Sequence, residues 1–334
     1  MERFGIHRSV RPLGGLPQQA DSLDATSPLG PDELAIDVEY LNVDSASWHQ
    51  IRAETGGDAQ AMSDRILEIV KERGKLQNPV TGSGGMLVGT VSGLGAHRVD
   101  PPVGARIATL VSLSLTPLVL DEIVELDPTS EKVRVRGRAI LFGSGIFAEV
   151  PSDLPDTVVL GVLDVCGAPA WMARLARPGM NVAVIGAGGK SGMLACAQAV
   201  RSLDNDGRVV GLCWPPETEA VARETGAETV AVDCTDAPAV MEAVTGVLEG
   251  RQADLVFVCA NVAGCEGGAI LACDDDGRIV FFSMATSFTA AALQAEGLGK
   301  SCEMTIGNGF VPGHSSLALD LVRSDPKLLA RFSS

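Results

Sequence analysis

Asn181-Val-Ala-Val-Ile-Gly-Ala-Gly-Gly-Lys-Ser-Gly192 is the stretch whose reading decides the fold. A β-branched run enters a glycine turn, and Met193-Leu-Ala-Cys-Ala-Gln-Ala-Val200 reads as a helix directly behind it. A dinucleotide-binding turn needs this strand–turn–helix setting. Gly186 would allow the tight turn and Gly188 the approach of a pyrophosphate, while Gly189 or Gly192 would let helix and strand pack closely. Lys190 and Ser191 open the helix, whose N-terminal amides favour a phosphate. The spacing Gly-x-Gly-x-x-x-Gly is one residue longer than the common fingerprint. Gly189-Lys190-Ser191 also resembles the end of an NTPase phosphate loop, but Val184 stands where that loop needs its first glycine.

Further strands follow at regular intervals. Arg208 to Cys213, Thr229 to Asp233, Asp254 to Ala260 and Arg278 to Ser283 are apolar runs separated by helical segments. Five strands alternating with helices predict an α/β, Rossmann-type, doubly wound parallel sheet. Ligands of such sheets bind beyond the carboxyl ends of the strands. Cys213, Trp214, Ala260, Asn261, Ser283 and Met284 are therefore expected at the cofactor. The second strand ends in Cys213-Trp214-Pro215-Pro216 and lacks the acid that normally grips the ribose hydroxyls. No Arg or Lys stands beside it for a 2′-phosphate, so NAD and NADP both stay open.

The 334-residue chain is natural for two domains, and a net charge of −16 argues against nucleic acid and anionic membranes as partners. Ile107 to Leu120 is too short and too polar to span a bilayer, and no signal peptide opens the chain, so a cytoplasmic enzyme is expected. The eight cysteines contain no Cys-x-x-Cys pair and are expected in apolar cores, with Cys166 alone as a candidate to line a cleft. The first half is different. Runs at Leu34 to Leu41, Gly85 to Val91, Val103 to Val111 and Val133 to Leu141, separated by Gly- and Pro-rich turns, predict a small, mostly β domain. Residues 1–155 form it, and 156–300 form the nucleotide domain.

This layout resembles the medium-chain dehydrogenase/reductase superfamily, which implies a GroES-like fold for the first domain, completed by 301–334. Leu41-Asn-Val-Asp-Ser-Ala-Ser-Trp-His49 stands where those enzymes carry a zinc cysteine, and Asn78 to Val91 resembles their Gly-His-Glu segment. Superposition on Gly89 puts Gly85 and Met86 where the histidine and glutamate fall, and Asp44 near the cysteine. No metal is therefore expected. Within the superfamily, Leu41 to Ser47, Asn78-Pro-Val-Thr-Gly-Ser-Gly-Gly-Met86, Ser112-Leu-Ser-Leu-Thr-Pro-Leu118 and Ile306-Gly-Asn-Gly-Phe310 with His314 resemble the L-erythro-3,5-diaminohexanoate dehydrogenase family. That resemblance runs from about Asp37 almost to the C-terminus. It implies NAD(P)-linked deamination of a small cationic amino acid, and a homodimer or larger assembly.

Such chemistry needs a group to take a proton from the substrate ammonium before hydride can leave. Asp44 is the first candidate; its bland alternative, with Ser45 and Ser47, is the cap of a helix through Trp48. Asp164 is a second acid, with the N-cap of the helix holding Trp171 as its alternative. Thr81 and Ser83 stand ready for substrate or nicotinamide, or are incidental hydroxyls of a glycine turn. Trp48, Asn308 and His314 are substrate-binding candidates. A zinc-free enoyl or quinone reductase shares the architecture and is the competing function.

Overall fold

The computed structural model describes residues 2–333, and the chain divides into two compact units between Leu154 and Pro155. The first unit opens with a two-stranded ribbon, β1 (Ser9–Arg11) and β2 (Ser22–Leu23). Its main elements are β3 (Leu34–Val43), α1 (Ser45–Glu54), α2 (Ala59–Arg73), β4 (Gly85–Leu94), β5 (Arg106–Thr109), β6 (Leu118–Leu126), β7 (Lys132–Leu141) and β8 (Phe147–Glu149). The six long strands form an antiparallel sheet in the order β6-β7-β3-β4-β5-β8.

Leu34, Ile36 and Val38 of β3 alternate into the core. An irregularity between Val38 and Tyr40 then shifts the parity, so that Leu41 and Val43 continue the same buried face. A bulge has this effect because side chains alternate with a period of two. Helix α2 packs Met62, Ile66, Ile69 and Val70 against that core along one helical stripe. The sequence reading described a mostly β domain and missed α2 and β6, so this unit carries more helix than expected.

The second unit holds α3 (Asp156–Leu163), α4 (Gly167–Leu175), β9 (Asn181–Ile185), α5 (Lys190–Leu203), β10 (Arg208–Cys213), α6 (Glu219–Arg223), β11 (Glu228–Ala231) and α7 (Ala237–Val247). It continues with β12 (Ala253–Val258), α8 (Glu266–Ala272), β13 (Cys273–Phe281), α9 (Phe288–Leu298), β14 (Glu303–Ile306), α10 (His314–Ser324) and α11 (Pro326–Ser333). Its sheet is parallel throughout, in the order β11-β10-β9-β12-β13-β14. All five residues of β9 are buried, as expected for a central strand covered by helices on both faces.

The sixth strand, β14, lies in a short, largely exposed segment that carries no strand pattern in sequence. Segment 301–334 was expected to complete the first domain. Its contacts group it with the second unit: β14 extends the parallel sheet, and α10 and α11 pack on α3 and α4. Among the described residues no single helix is long and apolar enough to cross a membrane.

Candidate active site

Strand order reverses between β9 and β12, where an open parallel sheet forms its ligand crevice. The Gly186 turn lies there. Gly186 has φ +86°, and a Cβ on it would come within 2.6 Å of the Ala260 amide nitrogen. The backbone of Ala260 is itself pinned by a hydrogen bond to the Ile185 carbonyl, 3.1 Å. At Gly188 a Cβ would strike Thr218, and at Gly192 it would sit 2.1 Å from the Gly186 carbonyl oxygen. Gly189 has only that oxygen nearby, at 3.7 Å. Gly192, then, is the glycine that brings helix and strand together, and the two readings of the sequence resolve in its favour. Helix α5 begins at Lys190, after Gly189, with no acid in its first turn, so its amides are set for an anion. Ser191 is half-buried one residue further on.

Other expected cofactor residues are placed less uniformly. Trp214, Asn261 and Met284 are exposed beyond the ends of β10, β12 and β13. Cys213 is a correction. Its side chain is buried in the apolar core, where burial pushes the thiol up to about 11. Ser283 is buried and accepts the Ala285 amide, which shapes the loop it starts. Glu266, which the sequence did not single out, is buried at the start of α8 and accepts the Ser287 amide at 2.6 Å from that same loop.

In the first unit the two segments that resemble zinc-binding stretches meet. Val43 pairs with Gly85 across β3 and β4, and a Cβ on Gly85 would lie 1.9 Å from the Asn42 carbonyl oxygen. Asp44 caps α1, its Oδ1 accepting the amides of Ala46 (3.0 Å) and Ser47 (3.5 Å). The same Oδ1 accepts Ser83 Oγ at 2.9 Å. Ser47, 1% exposed, lies 2.7 Å from both Ser83 Oγ and Thr81 Oγ1. Thr81 is exposed. A carboxylate is thus joined to the surface by three hydroxyls, while its Oδ2 receives no hydrogen bond from the described residues.

The cap and the site are therefore one object. Ser47 was read only as part of the cap; its place in the chain could be foreseen only by knowing that the 44–47 and 81–83 turns meet.

Several candidates stand elsewhere. Ser45 donates to Glu131 and takes no part in the hydroxyl chain. Trp48 could wall a pocket or pack under the α1 cap, and the structure shows the second: it is 2% exposed and packed with the apolar residues under α1. Asp164 does not cap α4, whose N-cap is Cys166; it is exposed at the C-terminal end of α3. Cys166 is buried, and burial together with the nearby Asp164 carboxylate pushes its thiol up to about 12. Asn308 accepts Trp171 Nε1 on its backbone carbonyl at 2.8 Å and keeps its side chain exposed. His314, at the start of α10, is 4% exposed and packs edge-on to Phe310. Its Nε2 is buried with no hydrogen-bond partner among the described residues, and burial lowers its pKa, so the ring is neutral. No group of three His, Cys, Asp or Glu gathers as a metal cluster among the described residues.

Residues 7–151 match the family described as the L-erythro-3,5-diaminohexanoate dehydrogenase N-terminal domain. Proteins named L-erythro-3,5-diaminohexanoate dehydrogenase from Acetoanaerobium sticklandii and Fusobacterium nucleatum are 46% and 43% identical to this chain. Both alignments cover 99% of it and 97% of the relative. The chain belongs to the L-erythro-3,5-diaminohexanoate dehydrogenase family. Solved structures give the wider frame. A 2-haloacrylate reductase (TM-score 0.58, 16% identical, 91% of this chain and 83% of that one) has the same fold. So does Pseudomonas syringae quinone oxidoreductase (TM-score 0.56, 16% identical, 91% and 82%). A mycobacterial protein complexed with NADPH is similar too (TM-score 0.56, 15% identical, 92% and 81%). At such identities the likeness concerns the fold alone, so these reductases do not compete with the diaminohexanoate dehydrogenase relatives as guides to chemistry.

Proposed function

We propose that this chain catalyses nicotinamide-dependent oxidative deamination of L-erythro-3,5-diaminohexanoate to 5-amino-3-oxohexanoate and ammonia, as in lysine fermentation. The observation that carries the reading is 46% and 43% identity over 99% of the chain to two dehydrogenases of that substrate. The second unit fits the cofactor. Glycines at Gly186, Gly188 and Gly192 leave the room a pyrophosphate needs before the amides of α5. NAD is the preferred form. Between Trp214 and Ala222 there is no cation, while Glu217 and Glu219 oppose a 2′-phosphate. Such a charge balance also suits a substrate bearing two ammonium groups.

A nicotinamide cofactor held at the Gly186, Gly188 and Gly192 turn and the α5 amides would supply the hydride acceptor for C3. The chain's own residues handle the proton. A substrate ammonium resembles that of lysine, with a pKa of about 10, and holds its nitrogen lone pair until it is deprotonated. Asp44 takes that proton on its open Oδ2. In the charged form Ser83 Oγ donates inward to Oδ1, so the protonated carboxyl must turn and that hydrogen bond reverse before Ser83, Ser47 and Thr81 pass a proton outward. Asp44 then returns to its charged form and is ready to activate the water that attacks the iminium carbon. Asp44 is preferred because its carboxylate is joined to the surface by the Ser83, Ser47 and Thr81 hydroxyls. The exposed Asn308 amide offers a substrate-binding group in the second unit.

Assembly is proposed as a homodimer through β14, an edge strand that exposes Met304 and Ile306. Light scattering checks it. Formation of reduced cofactor from L-erythro-3,5-diaminohexanoate, with ammonia counted and NAD compared with NADP, tests the reaction. Turnover faster with NADP overturns the cofactor assignment, and no turnover with either overturns the function.

A further inference from the structure

We propose that Cys234 and Cys265 are an oxidisable dithiol whose closure to a disulfide restrains the loop between β12 and α8. Cys234 follows β11 in the turn that leads to Asp236, the N-cap of α7, and Cys265 is the N-cap of α8. The two residues are 31 positions apart in sequence, yet their sulfurs lie 2.8 Å apart, with the Cys265 thiol also within 3.3 Å of the Val262 carbonyl. A disulfide bond is about 2.05 Å long, so closure requires the sulfurs to move only a fraction of their separation. Both are buried, but the loop before Cys265 is not. Asn261, Val262, Ala263 and Gly264 are all exposed, and Gly264 takes φ +95°, so displacement of this short loop uncovers the pair.

The contact also assigns roles. The hydrogen bond from Cys265 lowers the pKa of Cys234 against the effect of burial, which makes Cys234 the readier thiolate. Its sulfur attacks a low-molecular-weight disulfide and expels one thiolate, leaving a mixed disulfide on Cys234. Cys265 then loses its proton and attacks the Cys234 sulfur, expelling the second thiolate. Two protein thiols are oxidised, and one external disulfide is reduced to two thiols. Ala260, at the root of the same loop, abuts Gly186, so closure changes cofactor affinity; this consequence rests on the proposed role of that turn.

The test is to incubate the reduced full-length protein with oxidised glutathione, alkylate remaining thiols, and map the digest by mass. The expected result is loss of two of the eight thiols, a Cys234–Cys265 linked peptide, and reversal by dithiothreitol. C265S should stop at glutathione on Cys234, and circular dichroism checks that this variant is folded. The bridged protein should melt several degrees higher and show a shifted dissociation constant for NAD. Absence of the linked peptide in folded protein overturns the site. A bridge with unchanged NAD affinity overturns the coupling to the loop. Failure of the reduced protein to bind NAD at all counts instead against the proposed function, because the peptide map does not depend on it.

Discussion

In the second unit the candidate site is backbone; in the first it is side chains. Gly186, Gly188 and Gly192 act by having no Cβ, and α5 contributes amides that any sequence would supply. Asp44, Ser47, Thr81 and Ser83, in the proposed mechanism, act through a carboxylate and hydroxyls whose value depends on which turns are brought together. The first kind of site tolerates changes of side chain around it but no added atom. The second tolerates added bulk at its exposed end but no change of chemical group. The two sites should therefore fail in different ways.

The largest effect is expected where a missing atom is essential. Gly192→Val would place Cβ against the Gly186 carbonyl, a backbone atom that cannot move without breaking the turn. Loss of folded protein, or destabilisation of about 4 kcal/mol or more in urea unfolding, is expected. Next comes the carboxylate. Asp44→Asn keeps an oxygen to cap α1, so stability should hold within about 1 kcal/mol. It removes the base, and kcat should fall by about 10²- to 10³-fold. NAD affinity, read by fluorescence titration, should not change. If NAD affinity falls as much as kcat, the division of labour between the units is wrong.

A smaller loss tests the relay. Thr81→Val keeps the shape of the side chain and removes the hydroxyl that ends the chain at the surface. We expect kcat to drop about tenfold, less than loss of the base itself. A changed solvent isotope effect should accompany it, because proton delivery becomes slower relative to hydride transfer. A purely structural Thr81 would leave the isotope effect as it was.

The same contrast explains what could be read from the sequence. The glycine turn was legible because its signal is local: strand, turn and helix lie within twenty residues, and each glycine has a steric reason to be there. Asp44, Thr81 and Ser83 could be named only through resemblance, and only as residues standing where other ligands are absent. Their partnership depends on the pairing of β3 with β4, and Ser47 stayed hidden inside a capping motif for that reason. Trp48 shows how one residue leaves two readings open. An aromatic beside a candidate acid suggests a pocket wall, but its position on the inner stripe of α1 commits it to the core. The Cys234–Cys265 contact joins turns after different strands, and no short spacing announces it.

The two units should also part company as pH rises, and this gives the smallest and most discriminating measurement. Lys75 of the first unit is 0% exposed, and its Nζ donates to the Pro17 carbonyl at 2.8 Å. Burial is the main cause that lowers its pKa to about 8, with Arg73 acting in the same direction and Asp21 against it. Below that pH both folded and unfolded chains hold the proton, and the folded state bears the full cost of a buried charge. Between about 8 and the unfolded value near 10.4 the unfolded chain binds more protons, so stability rises with pH, by at most about 3 kcal/mol. In the second unit the buried thiols run the other way. Burial raises Cys166 to about 12 and Cys213 to about 11, so their contribution is complete below the unfolded cysteine pKa and is lost as pH climbs above it. Urea unfolding of wild type and Lys75→Met, compared from pH 7.5 to 10, separates the two. The difference between them should grow with pH in favour of wild type, because only the lysine term has been removed. A constant difference would mean that Lys75 keeps its proton in the folded chain, and that the first unit has no titration of its own to set against the thiols of the second.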